Sequence, residues 1–317
     1  MLSTVLIVKD LWVKYFTSSG VINAVSGVSF SLSRGEMLAV VGESGSGKST
    51  IGYALLNMVP KPGRIVKGEI LLDGVNILKL SEEELRKIRG SKISIVFQDP
   101  FTTLDPLRKI RDQFIEFLME HGIDKNNALK IAREYIEAVG LTERVLDSYP
   151  HQLSGGQKQR VSIAMAISLN PSVVVADEPT TALDVVVQKQ IMDLISDIKR
   201  RYSSSFILIT HDLALALERA DSVMVMYGGY VMEMASKNEL AKNMVHPYTK
   251  ALFESLPRIK QRTLPKYLTG YPPDLRNPPP GCIFHPRCPF ASEKCRIMKP
   301  ELVEISKGHF VACHFAR

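Results

Sequence analysis

An α/β fold built on a mostly parallel sheet is predicted by three observations. Short apolar runs bounded by turn residues recur along the chain, helical patterns lie between several of them, and one run leads through a Gly/Ser-rich turn straight into a helix. The runs fall at 28–32, 37–41, 70–72, 93–97, 173–176 and 206–209. A strand covered on both faces is apolar throughout rather than alternating, so these read as buried strands. Helical patterns at 49–58 and 184–202 supply the alternation expected of a parallel sheet covered by helices. At 223–234 two apolar stretches flank Gly228-Gly229, whose tolerance of positive φ suits a two-residue hairpin turn. From 112 to 147 the pattern is helical with no strand signal, which marks a helical insertion. After Leu256 come Pro257, Pro265, Pro272, Pro273, Pro278, Pro279 and Pro280, an extended linker leading into a tail that holds every cysteine of the chain.

Composition bounds the function. With 317 residues, 45% hydrophobic and 23% charged, the chain is an ordinary folded protein with room for a large core. No apolar run approaches the roughly 20 residues that cross a bilayer, and the N-terminus shows neither a basic leader nor a small-residue cleavage site. Residence in the cytosol is expected. The net charge is +7, but residues 246–317 hold 12 Lys/Arg against 5 Asp/Glu, so the excess sits in the tail and the main body is neutral. That distribution argues against a nucleic-acid-binding face.

Two motifs carry nucleotide chemistry. Gly42-Glu43-Ser44-Gly45-Ser46-Gly47-Lys48-Ser49, followed by Thr50, fits G-x-x-x-x-G-K-[ST] between a strand and a helix. Its glycines let backbone N–H groups surround phosphates, the helix start adds a positive dipole, Lys48 meets the β/γ-phosphates and Ser49 is a magnesium ligand. The apolar run at 173–176 ends in Asp177-Glu178, where Asp177 is placed for magnesium and Glu178 for polarising the attacking water. Together these predict ATP and Mg2+.

The segment Leu153-Ser154-Gly155-Gly156-Gln157 matches the signature of the ATP-binding cassette family, which the chain resembles over residues 1–245. The resemblance implies a P-loop NTPase of the ABC type: a nucleotide-binding core at 1–97 and 158–245 with an N-terminal β subdomain, a helical signature subdomain at 98–157, and a small extension at 246–317. It implies that Tyr15 stacks on adenine, that Gln98 contacts magnesium and water, that Asp184 lies at a dimer seam and that His211 touches the γ-phosphate. It also implies that Ser154, Gly155, Gly156 and Gln157 close over ATP held by a second ATPase subunit, identical or related.

The tail, from His246-Pro247-Tyr248 through Cys313, and the phrase Phe97-Gln98-Asp99-Pro100 resemble the oligopeptide/dipeptide importer subfamily, with Asp105 and Val186 departing from its pattern. The resemblance implies an ATPase at the cytoplasmic face of the membrane, working with two permease subunits and a solute-binding protein. An oligosaccharide or nickel importer, or a soluble non-transport cassette, is the alternative.

Cys282, Cys288, Cys295 and Cys313 are spaced too widely for the usual paired zinc ligands, and a reducing compartment disfavours disulfides. A 4Fe-4S cluster is therefore expected, with zinc and no metal as rivals, and the subfamily resemblance points to the cluster.

Overall fold

The computed structural model describes residues 3–99, 103–181, 183–255 and 268–316. Pro100, Phe101, Thr102, Ala182, Pro257 and Pro265 fall outside them. The chain divides into two compact units, one of Met1–Val5, Ser33–Gly35 and Lys79–Ile207, the other of Leu6–Leu32, Glu36–Leu78 and Leu208–Arg317.

In the second unit, β1 (Thr4–Thr17), β2 (Gly20–Ser33), β4 (Gly63–Leu72) and β5 (Val75–Asn76) form a sheet of order β2-β1-β4-β5. β1 and β4 run antiparallel from Leu6↔Leu72 to Tyr15↔Gly63. Residues 25–32 of β2 alternate almost strictly between buried and exposed, the period-2 pattern of a sheet with one wet face. β3 (Met37–Val41), buried throughout, pairs in parallel with β9 (Ser222–Tyr227), which turns back antiparallel into β10 (Tyr230–Ser236). Gly228 and Gly229 occupy that turn with φ of 56° and 85°, the hairpin geometry the glycine pair predicts. Beyond the Pro-rich linker, β12 (His309–Val311) adds to the edge of β10, and β11 (Val303–Ser306) adds to β12. Helices α1 (Lys48–Leu55), α7 (Leu213–Arg219), α8 (Lys237–Lys242), α9 (Pro247–Glu254) and α10 (Glu293–Ile297) complete this unit.

In the first unit, β6 (Ile93–Val96) and β7 (Val173–Asp177) pair in parallel. α2 (Glu82–Ile88) begins on a capping box in which Ser81 and Glu84 satisfy each other's backbone donors. The helical insertion comprises α3 (Ile110–Met119) and α4 (Lys125–Ala138), followed by α5 (Gly155–Ile167) and α6 (Val185–Tyr202). α4 starts where Asp124 accepts from the backbone of Asn126 and Asn127, and it buries Ala128, Ala132, Tyr135 and Ile136 along one face. β8 (Ser205–Thr210), fully buried, carries the chain from this unit into the other. Among the described residues no helix is long and apolar enough to cross a membrane.

Candidate nucleotide site

The phosphate loop leaves the buried end of β3 and enters α1 through Gly47, which sits at φ 96°. Side chains are excluded at both ends of the loop. A Cβ on Gly42 would lie 2.2 Å from the carbonyl oxygen of Met226, and one on Gly47 would lie 2.2 Å from that of Ala24. Lys48 is buried, and its Nζ donates to the carbonyls of Gly42 at 2.8 Å and Glu43 at 2.9 Å, which draws the loop around the ammonium. The Ser46 Oγ is buried without a hydrogen-bond partner, and the Ser46 carbonyl accepts from Gly229 at 3.1 Å. A concave loop with a buried cation and an unpaired hydroxyl fits a phosphate ligand. Tyr15, half-buried on β1, places its Oη 3.4 Å from Thr50 Oγ1.

In the first unit the parallel register of β6 and β7 sets the chemistry. Ile93 lies opposite Val173, and the same offset of 80 positions brings Gln98 beside Glu178, with Gln98 Nε2 donating to Glu178 Oε2 at 3.0 Å. Thr181 Oγ1 donates to the same oxygen at 3.0 Å. Glu178 has φ 43°, a left-handed backbone that costs on the order of 1 kcal/mol and turns its carboxylate out of the strand line. Its neighbour Asp177 is buried at the end of β7. One carboxylate enclosed and the next half-exposed is a division suited to fixing a cation and activating water. Thr181 opens the segment that leads to Asp184, and its contact with Glu178 adds a role that its place in that segment does not itself indicate.

Ser154 caps α5. Its Oγ accepts from Gln157 N at 3.3 Å, and Gln157 Oε1 accepts from Ser154 N at 3.0 Å, so this end of the helix remains exposed and ordered. Gly156 lies against α6, where a Cβ would meet Val187 Cγ1 at 2.7 Å, while Gly155 opens the helix. Asp184, exposed, caps α6 by accepting from Val186 and Val187. Val185 and Val186 stand 80% and 67% exposed beside it, an apolar pair facing outward.

His211 follows β8, exposed, and Asp212 next to it caps α7. The candidates are thus shared between the units. The first holds Gln98, Ser154–Gln157, Asp177, Glu178 and Asp184; the second holds Tyr15, the loop from Gly42 to Thr50, including Ser44, Gly45 and Ser49, and His211.

The four cysteines lie together in the tail. Cys282 and Cys295 are buried, Cys288 and Cys313 half-buried, and all four are free thiols. They share one neighbourhood: burial first, then the thiols of Cys295, Cys288 and Cys313, push the Cys282 thiol up to about 11. Burial likewise raises Cys288. Yet among the described residues no group of three or more His, Cys, Asp or Glu is placed to hold a metal ion. The 4Fe-4S cluster expected at these residues, and zinc as its rival, find no support in the structure. The Cys282 N–H donates to the Cys295 carbonyl at 2.8 Å.

Residues 25–181 match the ABC transporter family, and residues 232–295 match the oligopeptide/dipeptide transporter C-terminal region. A probable peptide ABC transporter ATP-binding protein of Sinorhizobium fredii is 44% identical over 313 residues, covering 96% of this chain and 93% of that protein. An oligopeptide transport ATP-binding protein of Bacillus subtilis is 42% identical over 310 residues, covering 96% and 87%. Among solved structures, the post-hydrolysis dimer of the ATP-binding cassette MJ0796, bound to ADP and phosphate, superposes with a TM-score of 0.64 at 30% identity, covering 73% of this chain and 98% of that one. With its phosphate loop, its paired carboxylates and relatives similar over nearly their whole length, the chain belongs to the ATP-hydrolysing subunits of ABC transporters of the oligopeptide/dipeptide type.

Proposed function

We propose that this chain energises the import of oligopeptides or dipeptides, as one of two ATPase subunits at the cytoplasmic face of the membrane. Its partners are two permease subunits and a solute-binding protein. The observation that carries the catalytic reading is Glu178, held at one carboxylate oxygen by Gln98 and Thr181 and left half-exposed.

Lys48 and the backbone of Gly42–Ser49 would bind the phosphates and Tyr15 would pack on the adenine, while Ser49, Asp177 and Gln98 are the residues that would hold Mg2+. Mg2+, when bound there, would supply charge neutralisation for the phosphoryl group. Glu178 takes a proton from the attacking water, Gln98 orients that carboxylate, and His211 contacts the γ-phosphate. Ser154 to Gln157 present a capped helix start to ATP on the opposite chain, with Asp184 and the exposed Val185-Val186 pair along the seam. The four thiols have no part in this mechanism.

The test is ATP turnover by the transporter reconstituted in vesicles with its solute-binding protein. Peptide-loaded binding protein is expected to raise turnover above that with empty protein. Equal turnover with and without peptide, alongside stimulation by an oligosaccharide or nickel, would reject the peptide reading.

A further inference from the structure

The cysteine-bearing extension reaches the phosphate loop. Glu43, the second residue of the loop, donates its backbone N–H to Tyr248 Oη at 3.0 Å, across 205 positions of sequence. Its carboxylate is held at two points by Arg287, 244 positions away: Nη1 donates to Oε2 at 2.7 Å and Nη2 to Oε1 at 3.0 Å. Arg287 is itself fixed, since its Nε donates to the Thr269 carbonyl at 3.0 Å and its Nη1 also to Tyr227 Oη at 3.2 Å. The Arg287 side chain is only 5% exposed. Tyr227, Tyr248 and Phe284 wall the pair, with ring centroids 4.7 to 5.3 Å apart. Behind the loop, Asn23 N donates to the Leu275 carbonyl at 3.1 Å, so the extension also grips β2.

A free carboxylate one residue beyond Gly42 would oppose the negative charge of a triphosphate. A two-point guanidinium contact cancels that charge and fixes the loop backbone at the same time. We propose that Arg287 and Tyr248 are positioning residues for nucleotide binding: the extension neutralises Glu43 and holds the phosphate loop in its receiving curvature. The inference rests on Gly42–Ser49 being the phosphate loop.

The experiment is calorimetric titration of the purified full-length chain with ATP and Mg2+, each variant first checked for cooperative melting. Wild type binds and Lys48→Ala binds far more weakly; a wild type that binds nothing would remove the phosphate-loop reading itself. Arg287→Ala is expected to weaken ATP binding at least about tenfold, because truncating one partner of an enclosed charge pair leaves the other's charge uncompensated. Removing the opposing charge restores it, so Arg287→Ala with Glu43→Gln binds within about threefold of wild type, which a merely structural arginine would not produce. Should Arg287→Ala fail to fold, Arg287→Lys, which keeps the charge without the two-point contact, is expected to bind about threefold more weakly than wild type. A folded Arg287→Ala or Arg287→Lys that binds ATP like wild type, or a double variant no better than Arg287→Ala, would overturn the proposal.

Discussion

At the scale of single residues, the glycines of the phosphate loop are dictated by close approach. Gly47 combines φ 96° with a backbone oxygen where its Cβ would stand, so strain and collision act together. Gly47→Ala is expected to lose measurable ATP binding and to cost about 1–3 kcal/mol of stability, checked by nucleotide titration and urea denaturation. By contrast, Gly45 is open on the same test, although its φ of 77° still disfavours a side chain. These residues were legible because the motif is contiguous and each position answers to a local constraint. The bond from Arg287 to Glu43 was not, because nothing in either residue's neighbourhood in sequence refers to the other.

Elements show where sequence reading gains and loses reach. Gln98 and Glu178 come together because two apolar runs pair in register, so the site is legible once the strands are paired. The long strands β1 and β2 are harder to read, since Lys9, Asp10 and Lys14 interrupt β1 and only the apolar end of β2 reads as a strand. In the tail, residues 268–284 carry neither helix nor strand, as the prolines indicate, whereas β11 and β12 lie beyond them without a sequence signal that singles them out, and among the described residues no metal-holding group is found at the cysteines.

Behind β10, Glu233 is fully buried and accepts from the backbone of Val245 and His246, with His309 Nε2 2.8 Å away and Glu239 beyond it. His246, capping α9, accepts from Tyr248 N through Nδ1, which requires a neutral ring at that atom. Burial depresses its pKa to about 3, against an ordinary value near 6.5. Between those values the unfolded chain binds a proton that the folded ring does not. The contribution is therefore intact above about 6.5 and declines as pH falls towards about 3. Urea denaturation across that window is expected to show a pH slope that His246→Gln reduces by as much as one proton. An unchanged slope would mean that His246 is not buried as a neutral ring.

At the scale of the whole molecule, a common cassette bears a tail of the oligopeptide/dipeptide type, which joins it both at the phosphate loop and along the edge of β10. The phosphate loop takes its shape from β3, α1 and the hairpin at Gly228-Gly229, and its charge balance from the tail. In the other unit, Gln98 and Thr181 both donate to one oxygen of Glu178, the residue proposed to activate water. If Glu178 activates the attacking water, its loss should spare binding and remove turnover. The direct measurement compares wild type and Glu178→Gln in the assembled transporter, by ATP titration and by single-turnover hydrolysis. The variant is predicted to bind ATP with an affinity like wild type and to hydrolyse it more slowly by a factor on the order of 10² to 10⁴. Hydrolysis at the wild-type rate by Glu178→Gln would contradict the account.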